Sequence, residues 1–257
     1  RRLQQSLRVV EEMAKAPGIK LNPEKYQQAR FGLYTLEREL LSRLLRKDKA
    51  KYISGLHAII DTDFLKGRGH AEVATAVIKG GARTIQLRDK TTPKRDLLAI
   101  ARQLQELCAD KGALFIINDH LDIALAADAD GLHLGQQDLP VSTARRLLPI
   151  DKIIGCSVTN SGQAAAAVSA GADYIAVGAI YPTSSKELEE VVGLEAIAAI
   201  KEAVALPLVA IGGINQHNAA EVMAAGADSV AVISAIMAAE SPEAAARLIV
   251  DKIRVKE

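Results

Sequence analysis

Four segments of the chain repeat one local pattern. KGGARTIQL (79–87), AADADGLHL (126–134), SAGADYIAV (169–177) and AAGADSVAV (224–232) each join a small-residue helix end, a turn and a short apolar run. Glycine in such a turn reaches the left-handed conformation that ends a helix before a tight return. The pattern therefore predicts a helix before each turn and a strand after it, and the rest of the chain supplies matching pieces. Predicted strands are LHAII (56–60), ARTIQL (82–87), LFII (114–117), GLHL (131–134), KIIGCS (152–157), YIAVG (174–178), LPLVAI (206–211) and SVAVI (229–233). Predicted helices fall at 70–79, 92–111, 121–127, 142–148, 161–170, 194–203, 216–225 and 242–254. Strands alternating with helices make right-handed parallel units. Eight of them in about 200 residues, without a long crossover, favour a closed (β/α)8 TIM barrel over an open doubly wound sheet.

Residues 1–50 follow another rule and form an N-terminal helical segment before a barrel domain at 51–257. Leu3, Leu7, Val10 and Ala14 share one helical stripe. After Pro17-Gly18, Pro23 opens a longer helix with Leu33, Leu36, Leu40 and Leu44 on one face. Each stripe requires a partner: the other helix, the barrel, or a part upstream. The chain opens Arg-Arg rather than Met, so we expect residues before it. The Lys-rich RKDKAK (46–51) is expected to be a linker. Charge divides at the same place, with 13 Lys/Arg against 6 Asp/Glu in residues 1–51 and 19 against 25 in the remainder. These basic residues alternate with acids along helices and lack interleaved aromatics, which argues for a solvated helix face and against nucleic acid. The two cysteines have no metal-type spacing and form no disulfide framework, as expected of a cytoplasmic protein. No run of 18 apolar residues or signal peptide appears, so no membrane partner is expected.

Chemistry in such barrels lies at the strand C-termini. Taken in order, those ends carry Gln86-Leu87-Arg88-Asp89-Lys90, then Asn118-Asp119, Asp138, Ser157, Thr183-Ser184-Ser185-Lys186, Gly212-Gly213 and Ser234. Asp119 and Asp138 would emerge at one edge of the sheet. All-oxygen ligands favour Mg2+ over zinc there. The plain alternative is that both carboxylates only cap the helices that follow. Arg88 can fork across phosphate oxygens, and Lys90 and Lys186 add point charges; the alternative makes Arg88 and Lys90 surface charges beside Asp89. The glycines of IGGI, leading into a helix expected at Asn215, and VISAI before the last helices suit a phosphate cradle. His57 and His133 lie within strands and are expected to be satisfied core or wall histidines.

The motifs QLRDK (86–90), NDH (118–120), DGLHLGQQDLP (130–140), GCS (155–157), VGAIYPTSSK (177–186), IGGI (211–214) and AVISAI (231–236) resemble thiamine phosphate synthase, also called thiamine-phosphate pyrophosphorylase. The resemblance covers essentially all of 56–250. It implies a transferase that joins hydroxymethylpyrimidine diphosphate to thiazole phosphate, or its carboxylate, giving thiamine phosphate and diphosphate after Mg2+-assisted departure of the diphosphate. It places the pyrimidine diphosphate on Gln86, Leu87, Arg88, Asp89, Lys90, Asn118, Ser157 and Lys186. Arg88, Lys90, Lys186 and Ser157 are the candidate catalytic residues. Mg2+ falls to Asp119 and Asp138, and the thiazole phosphate to Thr183, Ser185, Gly213, Ile233 and Ser234, with Ser184 in the same hydroxyl-rich clamp. Asp89 and Ser185 stand where the family commonly has Glu and Thr, and ELEEVVG (187–193) is acidic beside an anion-binding loop. Residues 1–50 resemble part of a helical domain fused upstream in some synthases. Partners are the two small substrates, and a homo-oligomer is left open. Two other readings are a thiazole tautomerase, a similar barrel that needs no diphosphate site, and a barrel that binds a precursor without turnover.

Overall fold

The computed structural model describes residues 2–183 and 190–254. Eight strands, β1 (Gly55–Asp61), β2 (Thr84–Arg88), β3 (Leu114–Asn118), β4 (Gly131–Leu134), β5 (Ile153–Val158), β6 (Tyr174–Val177), β7 (Leu208–Ile211) and β8 (Ser229–Val232), pair in sequence order, all parallel. β8 returns to β1, with Leu56 opposite Val230, so the sheet closes and no edge strand remains. Each predicted run overlaps one strand, and β1, β2, β3 and β5 reach a residue beyond their runs. β7 starts later than LPLVAI because Pro207 has no amide to donate, although its carbonyl still accepts from Ile175 at 3.0 Å.

Helices α3 (His70–Lys79), α4 (Lys94–Lys111), α5 (Leu121–Ala126), α6 (Val141–Leu147), α7 (Ser161–Ala170), α8 (Glu195–Ala203), α9 (Ala219–Ala224), α10 (Ser234–Met237) and α11 (Pro242–Ile253) surround it. Local chemistry sets their ends. Asn160 caps α7 by accepting from the Gln163 amide, and Gly171 ends it at φ 99°. Ser241 accepts from the Ala244 amide ahead of α11. The helix expected at Asn215 begins only at Ala219. Asn218 accepts from the Asn215 amide at 2.8 Å and donates to the Gly213 carbonyl at 3.1 Å, and this side-chain turn replaces the first helical turn.

The main core lies between strands and helices, where Ile60, Ile85, Leu87 and Leu132 are buried. Each such side chain stabilises by about 1.5–3 kcal/mol. The barrel interior is more polar, with Tyr174, His57 and His133 near its floor. Their bulk is admitted by small residues opposite them. A Cβ added to Gly155, the register partner of Tyr174, would come within 2.0 Å of the Tyr174 ring.

Ahead of the barrel, α1 (Arg2–Ala14) packs against α2 (Pro23–Ala50), whose first turn is capped by Asn22. Their contact is polar: Gln4 donates to Glu37 at 2.5 Å and Arg30 pairs with Glu11 at 2.9 Å. The expected apolar stripes are only partly used, since Leu3, Leu36, Leu40 and Leu44 stay exposed. The linker expected at 46–51 is instead helical through Ala50. Its cations suit a helix C-terminus and are tied down: Arg46 pairs with Asp173 at 3.1 Å, and Lys49 with Asp130 at 3.3 Å and Asp151 at 3.1 Å. Ser42 also donates to the Ile150 carbonyl at 2.8 Å. These partners precede β4, β5 and β6, so α2 docks on the end of the barrel opposite the strand C-termini. Among the described residues no helix is long and apolar enough to cross a membrane.

Candidate active site

The strand C-termini surround a cavity of about 860 Å3, within the range for a small-molecule site. Its walls show the period of two that parallel strands impose. Gln86 and Arg88 of β2 face inward, while Leu87 between them packs into the outer core. His133 alternates likewise with Leu134 along β4. Asn118, Asp119, Asp138 and Ser157 line the same space, with Lys90 at the exposed lip and Ile233 on the far side.

Neither rim carboxylate caps a helix. α5 starts after His120 and α6 after Pro140, both without a side-chain cap. Asp138 instead accepts from the Gly135 amide at 2.6 Å. Asp119 sits at φ 63°, an unusual conformation for a residue other than glycine. Its carboxyl is raised to about 6, first by burial, then by hydrogen bonding to Asp138 and by that group's charge, while Lys90 and Arg88 pull the other way. Two like charges thus share a partly desolvated spot, which a cation would relieve. Hard oxygen donors suit Mg2+. Among the described residues no group of three or more His, Cys, Asp or Glu could hold a metal ion. Two carboxylates completed by water and substrate phosphate oxygens is the usual pattern for this ion, so the residues fit it.

Arg88 is not a surface charge. It is buried and pairs with Asp61 of β1, its cross-strand neighbour, rather than with Asp89. Asp89 turns away from the cavity. Burial raises its carboxyl, but the Thr62 hydroxyl and the Thr91 and Thr92 amides outweigh this and bring it down to about 2. Asp89 therefore anchors the loop that carries Lys90. Gln86 Nε2 is buried with no hydrogen-bond partner among the described residues, a donor that suits a ligand. Beneath it, His133 Nε2 lies 2.9 Å from Ser157 Oγ and His133 Nδ1 lies 3.0 Å from the Tyr174 hydroxyl. His133 is a satisfied wall histidine. His57 is not satisfied: it is buried with both ring nitrogens unpartnered among the described residues, and burial drives it down to about 3, so it stays neutral.

At the other end of the cavity, Gly212 (φ 103°) and Gly213 (φ 64°) turn tightly against the loop after β6. A Cβ on Gly213 would lie 2.6 Å from the Pro182 carbonyl oxygen. Gly213, Thr183 and Ser234 do not line the cavity itself. Ser184, Ser185 and Lys186 lie outside the described residues.

The family model for thiamine monophosphate synthase matches residues 56–236. The chain belongs to this family. A thiamine-phosphate synthase of Moorella thermoacetica is 50% identical over 193 residues, covering 75% of this chain and 92% of the relative. One from Thermosynechococcus vestitus is 41% identical over 246 residues, covering 96% of this chain and 69% of the relative. The thiamine phosphate pyrophosphorylase from Pyrococcus furiosus superposes with a TM-score of 0.71 at 39% identity, over 82% of this chain and 98% of that one. Residues 1–39 match the ThiD2 family. The barrel is thus an enzyme of thiamine biosynthesis, a transferase, and its strand C-terminal rim is where a TIM-barrel synthase works. This synthase's cavity also takes in Asp63 and Phe64, which enter from the turn after β1, and Gln136, which donates to the Ser157 carbonyl at 2.7 Å. Gln136 stands inside a quoted motif and could have been found. Asp63 and Phe64 carry no spacing signal.

Proposed function

We propose that this rim performs the synthase condensation, joining hydroxymethylpyrimidine diphosphate to thiazole phosphate or its carboxylate, with the residues in the following roles. The main support is that Arg88, Lys90, Asn118, Asp119, Asp138 and Ser157 meet at the walls of one cavity. The bond from the pyrimidine methylene carbon to the diphosphate oxygen breaks, and its electron pair leaves with the diphosphate. The thiazole nitrogen then shares its lone pair with that carbon, and where the carboxylate is the substrate its carboxyl group departs as CO2, giving the same product. Because charge develops on the leaving group, donors fixed beforehand around it lower the barrier. Arg88 and Lys90 serve this role, together with Lys186. Gln86, Asn118 and Ser157, the last held by His133, hydrogen-bond the pyrimidine end. The narrow turn at Gly213, with Ile233, Ser234 and the hydroxyls of Thr183 to Ser185, takes the thiazole phosphate. Asp119 and Asp138 would hold Mg2+, which when bound to the diphosphate neutralises part of its charge. A cytoplasmic setting belongs to the same reading, in line with two free cysteines.

The test mixes the purified chain with both substrates and Mg2+ and follows diphosphate and thiamine phosphate together. The expected result is both products in equal amounts, lost on chelation and restored by added Mg2+. Binding of both substrates without turnover would instead favour a sensing barrel. Rearrangement of a thiazole without diphosphate release would favour a tautomerase.

A further inference from the structure

Asp61 ends β1 with its side chain inside the barrel, almost fully buried at 1% exposure. A carboxylate in that position requires partners, and it has two. One oxygen accepts from Arg88 Nη1, across the register pair Asp61–Arg88. The other accepts from the Asp63 amide at 3.1 Å. Both partners belong to the cavity, Arg88 as its buried cation and Asp63 as the start of the turn that brings in Phe64.

A guanidinium presents its donors in a rigid fork. Fixing Nη1 on Asp61 therefore sets the direction of the remaining donors. Among the described residues Asp61 is the only hydrogen-bond or ion-pair partner of that guanidinium, so none of them takes its other N–H groups. On the proposed assignment of Arg88 to the diphosphate, we infer that Asp61 is a positioning residue: it holds Arg88 toward the diphosphate and pins the β1 turn through its second oxygen. It does not touch the substrate. Its effect belongs to the pyrimidine diphosphate and to released diphosphate, and leaves the thiazole phosphate unaffected.

The experiment compares the parent chain with Asp61→Asn, Asp61→Ala and Arg88→Ala. Each substrate is varied in turn, diphosphate is used as a product inhibitor, and thermal unfolding is followed in parallel. Asp61→Asn keeps one oxygen acceptor of similar reach and turns the other position into an N–H donor, whereas Asp61→Ala removes both. The expected result for Asp61→Ala is a fall of about 10- to 100-fold in kcat/KM for the pyrimidine diphosphate, the scale of a misplaced catalytic group. Diphosphate inhibition should weaken in parallel and the thiazole phosphate KM should hold. Asp61→Asn should recover part of the loss. Unchanged kinetics in a folded Asp61→Ala, or equal changes toward both substrates, would overturn the inference. If Asp61→Ala does not fold, Asp61→Asn decides: a selective loss toward pyrimidine diphosphate and diphosphate supports positioning, and its absence refutes it. Full activity in Arg88→Ala would instead refute the assignment of Arg88 itself.

Discussion

Asp119 concentrates the tension of the rim in one side chain. Its carboxyl is held at about 6, above its ordinary value, because burial and Asp138 disfavour its charge. The folded state therefore binds this proton more tightly than the unfolded chain. Below pH 4 both states hold it and nothing is lost; as pH rises through about 6 the folded state pays for the buried charge and stability falls. Asn keeps the shape, carries no charge and tolerates the positive φ. Asp119→Asn is expected to stabilise the metal-free protein near neutrality by roughly 1 kcal/mol, after discounting for the solvent that reaches the group. The readout is Tm at pH 4.5 and 7.5: the advantage of the variant should be larger at the higher pH, and an equal advantage at both would contradict the assignment. In the parent, the Mg2+ needed for half-maximal turnover should rise as pH drops below about 6, because proton and metal compete. Asp89 shows the opposite case. The same residue type, placed between the cavity residues Arg88 and Lys90, ties its own loop to Thr62 of the turn after β1, and nothing in its sequence pattern signals the difference.

The element that most constrains the proposed thiazole phosphate place is the turn after β7. Gly213 holds a left-handed conformation and closes against the Pro182 carbonyl, so any side chain there must push back the loop after β6. Gly213→Ala is expected to lower stability by about 2 kcal/mol, and to raise the KM for thiazole phosphate more than that for pyrimidine diphosphate. Thermal unfolding and two-substrate kinetics measure both, and an unaltered thiazole phosphate KM would remove this turn from the site. The IGGI glycines suggest from sequence alone a backbone that something approaches closely, and Gly212 and Gly213 hold left-handed conformations that glycine adopts at the least cost. The start of α9 was not legible, since two asparagines spend their side chains on a turn that competes with the helix.

At the scale of the molecule, the helical hairpin and the rim occupy opposite ends of the barrel. The Moorella relative is matched over 92% of its length by 193 residues of this chain, about the length of the barrel. Residues 52–257 alone are therefore expected to fold and to keep kcat within about threefold of the whole chain, because the N-terminal face of such barrels serves stability rather than chemistry. The loss should appear in Tm, since Asp173, Asp130 and Asp151 are left without Arg46 and Lys49. A kcat collapse in a folded truncation would tie the hairpin to catalysis. The sequence by itself determined the eight units, their order and the motifs at their ends, because strand, helix and turn preferences act over a few residues. Tertiary structure decided that Arg88 answers to Asp61 instead of Asp89, that Leu87 faces the outer core, that His133 supports Ser157, and that RKDKA stays helical. Each of these depends on which side of a strand faces inward, or on a partner tens of residues away. Only closure of the barrel brings those partners together.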